Sequence, residues 1–133
     1  MKALLDTHLA LWYITGETAR LGTAAGIIDD PDNDVFFSQV SVWELAIKHQ
    51  KRPDLMPMSE EEFFGFCEQA GFDYLEIKNE HLYEIKNLKQ KSGAGQHHDP
   101  FDRLLLAQAK QEGFTYLTHD RQMEEYEEKI LIV

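Results

Sequence analysis

The sequence contains a single cysteine, no long apolar run and few basic residues. Because Cys67 has no partner in the chain, an internal disulfide is excluded, and a buried, unreactive thiol in a reducing cytoplasm is expected. No apolar stretch approaches the roughly 20 residues that a membrane helix needs. The N-terminal stretch MKALLDTHLALWYITGE has an acid within its apolar part and no small-residue cleavage site, unlike a secretory signal peptide. We therefore expect a cytoplasmic protein without a membrane segment.

The charge balance is strongly acidic. The chain has 13 Lys and Arg residues against 24 Asp and Glu residues, which gives a net charge of -11 at pH 7. Proteins that bind nucleic acid unaided are usually basic, whereas the overall field of this chain repels phosphates and attracts cations or basic partners. The acidic excess bears on function only if the acids cluster in space.

Length and patterning indicate one α/β domain over residues 1–133. The 133 residues are 43% hydrophobic, which is enough for a core, and we find no linker, low-complexity tract or internal repeat. Short apolar runs alternate with helical patterns, which favours a mostly parallel sheet covered by helices on both faces. The predicted strands are 2–6, 34–38, 73–77, 114–118 and 129–133. The predicted helices are 8–15, 22–30, 40–50, 59–71, 79–89 and 99–112, with a helical turn or two over 120–128 and a loop over 90–98.

Acidic side chains follow three of the predicted strands. Asp6 ends the first strand, Glu44 lies one turn into the helix after the second, and Asp120 follows the strand over 114–118. Asp99 and Asp102 start the helix that leads into that strand, and their spacing places them on one face or at its N-terminal end. Because ligands of open parallel sheets bind beyond the carboxyl ends of the strands, these acids are expected to meet at one edge.

Most of these acids also have a purely structural explanation. Ser-x-x-Glu at 41–44 matches a capping box, and Asp-Pro at 99–100 matches an N-cap followed by a first-turn proline. Asp102 could stabilise the positive end of a helix dipole, and Asp120 could cap the last short helix. Only Asp6, at the end of an apolar strand, has no capping motif to account for it.

Convergence of the acids would favour a metal site. Two carboxylates about 4 Å apart repel by about 4 kcal/mol at an effective dielectric constant of about 20. Several such pairs require a cation or partial protonation. Oxygen ligands from Asp and Glu suit Mg²⁺ or Mn²⁺. Such sites typically catalyse displacement at phosphorus, where the metal activates water and neutralises the phosphate.

Four blocks of the sequence resemble the PIN-domain nucleases, most closely the VapC-like toxins of bacterial toxin–antitoxin pairs. The blocks are LLDTH, SQVSVWELAIK, HHDPFDRLLLAQA and YLTHDRQM, which occur in this order and span nearly the whole chain. The resemblance implies a three-layer α/β/α sandwich around a central parallel sheet of four or five strands in the order 3-2-1-4-5.

The resemblance also implies site residues. The metal-binding and catalytic acids would be Asp6, Glu44, Asp102 and Asp120. Polar side chains that orient these acids or water would be Thr7, Ser41 and Thr118. Asp99 lies in the DPFDR pattern and is expected mainly as the helix cap, and secondarily as an occasional metal ligand or a contact of the ligands. Arg103 is expected either to pair with one of the acids or to touch phosphate.

The activity that the resemblance implies is that of a metal-dependent endoribonuclease, which uses Mg²⁺ or Mn²⁺ and leaves 5′-phosphate and 3′-hydroxyl ends. The implied partners are RNA and a small antitoxin whose basic C-terminal segment enters the acidic site, and homodimers are common in the family. RNA would have to be held by local basic patches, namely Lys48, His49, Lys51 and Arg52, and Lys86, Lys89 and Lys91. His97 and His98 are less favoured metal ligands, because sites of this type rarely need histidine.

Two other interpretations stay open. An acidic module of the same fold could hold a metal ion or a basic peptide without useful catalysis. Another phosphoryl-transfer hydrolase, such as a phosphatase, also suits a doubly wound sheet. However, the first strand here ends in Asp-Thr-His and lacks the Asp-x-Asp of haloacid-dehalogenase-type enzymes.

Overall fold

A computed structural model of the protein describes residues 1–91 and 99–133. The strands are β1 (Lys2–Leu5), β2 (Asp34–Ser38), β3 (Asp73–Leu75), β4 (Thr115–Thr118) and β5 (Ile130–Ile132). The helices are α1 (Thr7–Ile14), α2 (Thr18–Leu21), α3 (Ala24–Asp29), α4 (Gln39–Lys51), α5 (Glu60–Gln69), α6 (Asn79–Glu84) and α7 (Pro100–Glu112), with 3-10 turns at Ile85–Asn87 and Arg121–Glu125. All predicted strands and helices are present, and the single turn α2 was not predicted. Most of the predicted loop over 90–98 lies outside the described residues.

The five strands form one sheet in the order β3-β2-β1-β4-β5, and each neighbouring pair is parallel. This confirms the α/β class predicted by the alternation of strands and helices and the strand order implied by the resemblance. The chain leaves β1 towards β2 on one side and reaches β4 on the other, so β1 marks a switch in the direction of winding. Ligand sites of such sheets lie beyond the carboxyl ends of the strands at the switch point.

Helices cover both faces of the sheet and enclose two apolar cores. Ala3 and Leu5 of β1 pack with α1, α3 and α5 on one face, and Leu4 packs with α7 on the other. Burial on both faces explains why the strands read as continuous apolar runs. Cys67 is completely buried in the first core, and burial raises the pKa of its thiol to about 12. The expected buried thiol is thereby confirmed.

The start of α7 agrees with the sequence. Asp99 Oδ1 accepts hydrogen bonds from the N–H groups of Phe101 (2.9 Å) and Asp102 (3.3 Å), and Pro100 occupies the first turn. Gly113 ends the helix with a left-handed φ of 74°. The prediction that Asp99 starts this helix is therefore confirmed. None of the helices in the two described ranges is long and apolar enough to span a membrane.

The start of α4 differs from the sequence expectation. Ser38 is the N-cap, because its Oγ accepts a hydrogen bond from Val40 N at 2.9 Å. The structural explanation of Glu44 as part of a capping box at 41–44 is therefore wrong, since β2 runs directly into the helix and the cap lies three residues earlier. Ser41 and Glu44 lie inside α4, and their buried side chains contact α1 instead.

Candidate active site

A cleft of about 340 Å³ lies at the carboxyl-end edge of the sheet. It is lined by all of the acids singled out from the sequence, namely Asp6, Glu44, Asp99, Asp102 and Asp120. The other lining residues are His8, Trp12, Lys48 and His119. Residues distant in the chain therefore meet at the switch point, as the alternation of strands and helices predicts.

Asp6 connects β1, α1 and the end of β4. Its Oδ1 accepts a hydrogen bond from Leu9 N at 2.7 Å, which makes Asp6 the N-cap of α1. Its Oδ2 accepts hydrogen bonds from Thr118 Oγ1 (2.6 Å) and His119 N (3.2 Å). The expectation that Asp6 has no capping role is wrong, because α1 begins at Thr7, one residue before the predicted start. Burial raises the pKa of Asp6, and these hydrogen bonds oppose the rise.

Glu44 projects from α4 and is almost completely buried. Its Oε1 accepts a hydrogen bond from Thr7 Oγ1 at 2.6 Å, and Thr7 Oγ1 lies 2.8 Å from Ser41 Oγ. Its Oε2 is ion-paired with the ammonium of Lys48, one turn further along the helix. Both oxygens of this carboxylate therefore have partners.

Asp102 lies in the first turn of α7 and is partly buried. Burial, followed by the negative charges of Asp99, Glu44, Asp6 and Asp120, raises its pKa from 3.8 to about 8. In the metal-free protein, the neutral form of Asp102 is therefore favoured to a higher pH than is usual for an aspartate. Burial is the larger cause of this rise, and the surrounding acids add to it.

Thr118 bridges two of the acids at the end of β4. Its hydroxyl donates to Asp6 Oδ2 and accepts a hydrogen bond from Asp120 N at 3.0 Å. Asp120 Oδ1 accepts from Gln122 N at 2.9 Å and caps the 3-10 turn that follows. The structural explanation offered for Asp120 is thus confirmed, and the same residue lines the cleft.

Arg103 is not among the residues that line the cleft. Its side chain hydrogen-bonds the phenol of Tyr126, whose pKa it lowers against a larger effect of burial. Within the described part of the chain, its buried Nε has no hydrogen-bond partner. Pairing of Arg103 with one of the acids and a contact between Arg103 and phosphate both stay predictions.

Four cleft residues were not recognised as such from the sequence. His8 and His119 directly follow Thr7 and Thr118, so applying the strand-end rule to histidine as well as to acids and hydroxyls would have found them. Trp12 lies one turn after His8, with ring centroids 6.0 Å apart, and meets the His119 ring edge-on at 5.1 Å. Lys48 was predicted only as part of a basic patch. His97 and His98 lie outside the described residues.

The donor chemistry of the cleft fits a hard dication. Among residues 1–91 and 99–133, no three His, Cys, Asp or Glu side chains form a ready-made cluster for one ion. The acids nevertheless offer only oxygen donors, and Mg²⁺ is usually held by one or two carboxylates together with water. Tyr116 Oη is buried near these acids and has no hydrogen-bond partner in the described part of the chain. Burial raises the pKa of Tyr116 most, and the four acids raise it further. These features fit a hydrated ion better than a fully ligated one.

Several solved structures contain chains with a similar fold. The fold is similar to a chain in the structure of VapBC2 from Rickettsia felis bound to a promoter DNA fragment, with 12% identity and a TM-score of 0.71 over 100% of this chain and 99% of that chain. It is similar to a chain in the structure of DNA-bound VapBC from Salmonella typhimurium, with 15% identity and a TM-score of 0.64 over 99% of this chain and 98% of that chain. It is also similar to a chain in the structure of VapBC-1 from nontypeable Haemophilus influenzae, with 14% identity and a TM-score of 0.62 over 99% of this chain and 98% of that chain. No curated protein matches the sequence. The sequence model of the PIN domain family matches residues 3–129, and the chain therefore belongs to the PIN domain family.

Proposed function

We propose that this protein is a metal-dependent endoribonuclease that uses Mg²⁺ or Mn²⁺, and that it is the toxin of a toxin–antitoxin pair. The observation that carries the proposal is the convergence of four acids in one cleft at the switch point, namely Asp6, Glu44, Asp102 and Asp120. Membership of the PIN domain family supports nuclease chemistry. Similarity of fold to chains of VapBC structures favours the toxin role.

In this proposal, Asp6, Glu44 and Asp102 hold the ion directly or through water, and Asp120 completes the cluster or helps to bind a second ion. Thr7 donates to Glu44 and Thr118 donates to Asp6, so these hydroxyls fix the orientation of two carboxylates. When bound, the dication would neutralise charge on the scissile phosphate and lower the pKa of an attacking water. No covalent intermediate on the protein is required.

The partners follow from the charge of the cleft. An acidic cleft in a chain of net charge -11 attracts a basic segment, and we propose a small antitoxin whose C-terminal Arg or Lys enters the cleft and competes with the ion. RNA is held by local cations, among them Lys48 at the cleft. We further propose that residues 1–133 act as one domain, as a homodimer and in the cytoplasm.

The activity is tested with purified protein and a panel of single-stranded and structured RNAs. Cleavage is expected with Mg²⁺ or Mn²⁺ and is expected to stop when EDTA is added. Asp102→Asn should reduce cleavage by about a hundredfold or more, because an amide is a poorer ligand for a hard ion. Asp34→Asn is the matched control, since Asp34 is an exposed aspartate at the amino end of β2, on the opposite edge of the sheet.

The outcomes separate the alternatives. Equal cleavage by the parent and by Asp102→Asn would show that the acid assignment is wrong. Binding of Mn²⁺ without cleavage of any RNA would instead favour an acidic binding module. Hydrolysis of a phosphomonoester, with RNA left intact, would indicate another phosphoryl-transfer hydrolase.

A further inference from the structure

One cation sits among the acids of the cleft. Lys48 lines the cleft and ion-pairs with Glu44 Oε2, four residues earlier on α4. Its side chain is 36% exposed, whereas that of Glu44 is only 5% exposed. A glutamate four residues before a lysine is the favourable order on a helix, so α4 itself presents this ammonium to the buried carboxylate.

The two oxygens of Glu44 differ in the kind of partner they have. Oε1 accepts a neutral hydrogen bond from Thr7, and Oε2 contacts the full charge of Lys48. A dication on this carboxylate would tolerate the hydroxyl, whose dipole is small, but would repel the ammonium directly. In the absence of an ion, loss of Lys48 would leave a buried carboxylate without a counter-charge, which is unfavourable, although solvent around the partly exposed ammonium limits the cost. Lys48 and a dication are therefore alternative partners of Glu44.

The displaced ammonium has a second contact beside the cleft. Lys48 Nζ lies 5.6 Å from the centroid of the Phe101 ring, and Trp43 packs edge-on against that ring at 4.8 Å. Phe101 directly precedes Asp102 at the start of α7. A cation is attracted to the face of an aromatic ring, so the ammonium can leave Glu44 without moving away from the acids.

We propose that Lys48 is a built-in counter-ion, which holds Glu44 in the metal-free protein, releases it to the dication and then offers its ammonium to the phosphate of the RNA. This inference rests on the proposed function, because it concerns the same cleft. Towards the ion Lys48 acts as a competitor, and towards the substrate it is a phosphate-binding residue.

The first test measures the affinity for Mn²⁺ alone by calorimetry. Lys48→Met removes the charge and keeps an unbranched side chain against Phe101, and it is expected to bind Mn²⁺ about fivefold more tightly than the parent, the factor expected for a partly exposed ion pair. Lys48→Arg keeps the charge and should bind Mn²⁺ as the parent does. Lys2→Met, at the exposed first residue of β1 and outside the cleft lining, is the matched control and should change nothing.

The second test measures RNA binding by fluorescence anisotropy with Ca²⁺ in place of Mn²⁺, so that binding is read without turnover. Lys48→Met is expected to bind RNA several-fold more weakly. Its plot of log affinity against log salt should be shallower by about one, because one phosphate contact is lost. The melting temperature in EDTA checks the fold, and Lys48→Gln repeats both measurements with a polar substitute.

The results decide the two parts separately. Equal or weaker Mn²⁺ binding by Lys48→Met and Lys48→Gln would overturn the competition. Tighter Mn²⁺ binding with unchanged RNA binding would overturn the phosphate contact. A parent protein that binds no Mn²⁺ would refute the metal site and this inference with it, whereas a parent that binds Mn²⁺ but cleaves no RNA would refute only the proposed activity.

Discussion

Replacement of Asp102 by Asn should stabilise the metal-free protein, and the gain should depend on pH. The pKa of Asp102 is 3.8 in an unfolded chain and is raised to about 8 in the folded protein, because Asp102 is buried and surrounded by other acids. Between these two values the folded state holds a proton that the unfolded state has lost, so the stability contributed by this group falls as pH rises. Asparagine has no such proton, and Asp102→Asn removes this pH dependence.

The size of the effect follows from the displaced pKa. At about 1.4 kcal/mol per pH unit, the full displacement would destabilise the folded protein by about 6 kcal/mol above pH 8. Because Asp102 is only partly buried, water and local rearrangement should reduce this to about 2 kcal/mol. The interaction of the carboxylate with the start of α7 opposes the gain by only about 0.5 kcal/mol. For a chain of this length the remainder corresponds to about 5 °C in melting temperature.

The measurement is thermal unfolding followed by circular dichroism in EDTA at pH 4.5 and pH 8.5. Asp102→Asn should melt about 5 °C above the parent at pH 8.5 and close to the parent at pH 4.5. Asp34→Asn, which replaces an exposed aspartate, should melt with the parent at both values. A gain that is the same at both pH values, or a loss at pH 8.5, would refute the claim that burial and the neighbouring acids together oppose the ionisation of Asp102.

Three further predictions concern the ion, the first helix and the thiol. Saturating Mn²⁺ should raise the melting temperature of the parent more at pH 8.5 than at pH 5.5, because the ion must displace the proton of Asp102 at the lower pH. It should raise the melting temperature of Asp102→Asn less than that of the parent, because the amide is a poorer ligand. Thermal shift curves measure both differences. Asp6→Ala should destabilise the protein by about 1 kcal/mol more than Asp6→Ser, which retains an oxygen to cap α1; equal urea midpoints would count against the cap. Cys67 should not react with a thiol reagent until urea unfolds the protein, since its pKa is about 12 and it is completely buried.

The position of the cleft could be predicted from the sequence because it depends on topology. Asp6 and Asp120 follow strands of a parallel sheet, and the carboxyl ends of such strands share one edge whatever their exact bounds. Glu44 reaches the same edge because its helix starts directly at the end of β2. Errors of one or two residues in the strand boundaries therefore did not affect the prediction that these acids meet.

The contacts of each acid could not be predicted, because they depend on single residues at element boundaries and on tertiary packing. Starting α1 at Thr7 turns Asp6 into a cap. The hydrogen bond from Thr7 to Glu44 joins residues on two different helices, and neither local motif indicates it. Lys48 could be placed on the same helix face as Glu44 by its spacing, but only the burial of Glu44 makes that ion pair important.

The structure also changes the argument about how the negative charge is tolerated. From the sequence alone, the mutual repulsion of the acids required a cation or partial protonation. In the folded chain the repulsion is relieved in three separate ways. Lys48 pairs with Glu44, and backbone and hydroxyl groups donate hydrogen bonds to Asp6. The raised pKa of Asp102 favours its protonated form. Under the proposed function, the Lys48 ion pair and the Asp102 proton would be exchanged for a dication, or for a basic side chain of a partner. A PIN domain with such a cleft could therefore fold before it meets either, and the proton and the ion pair would set how tightly each is then bound.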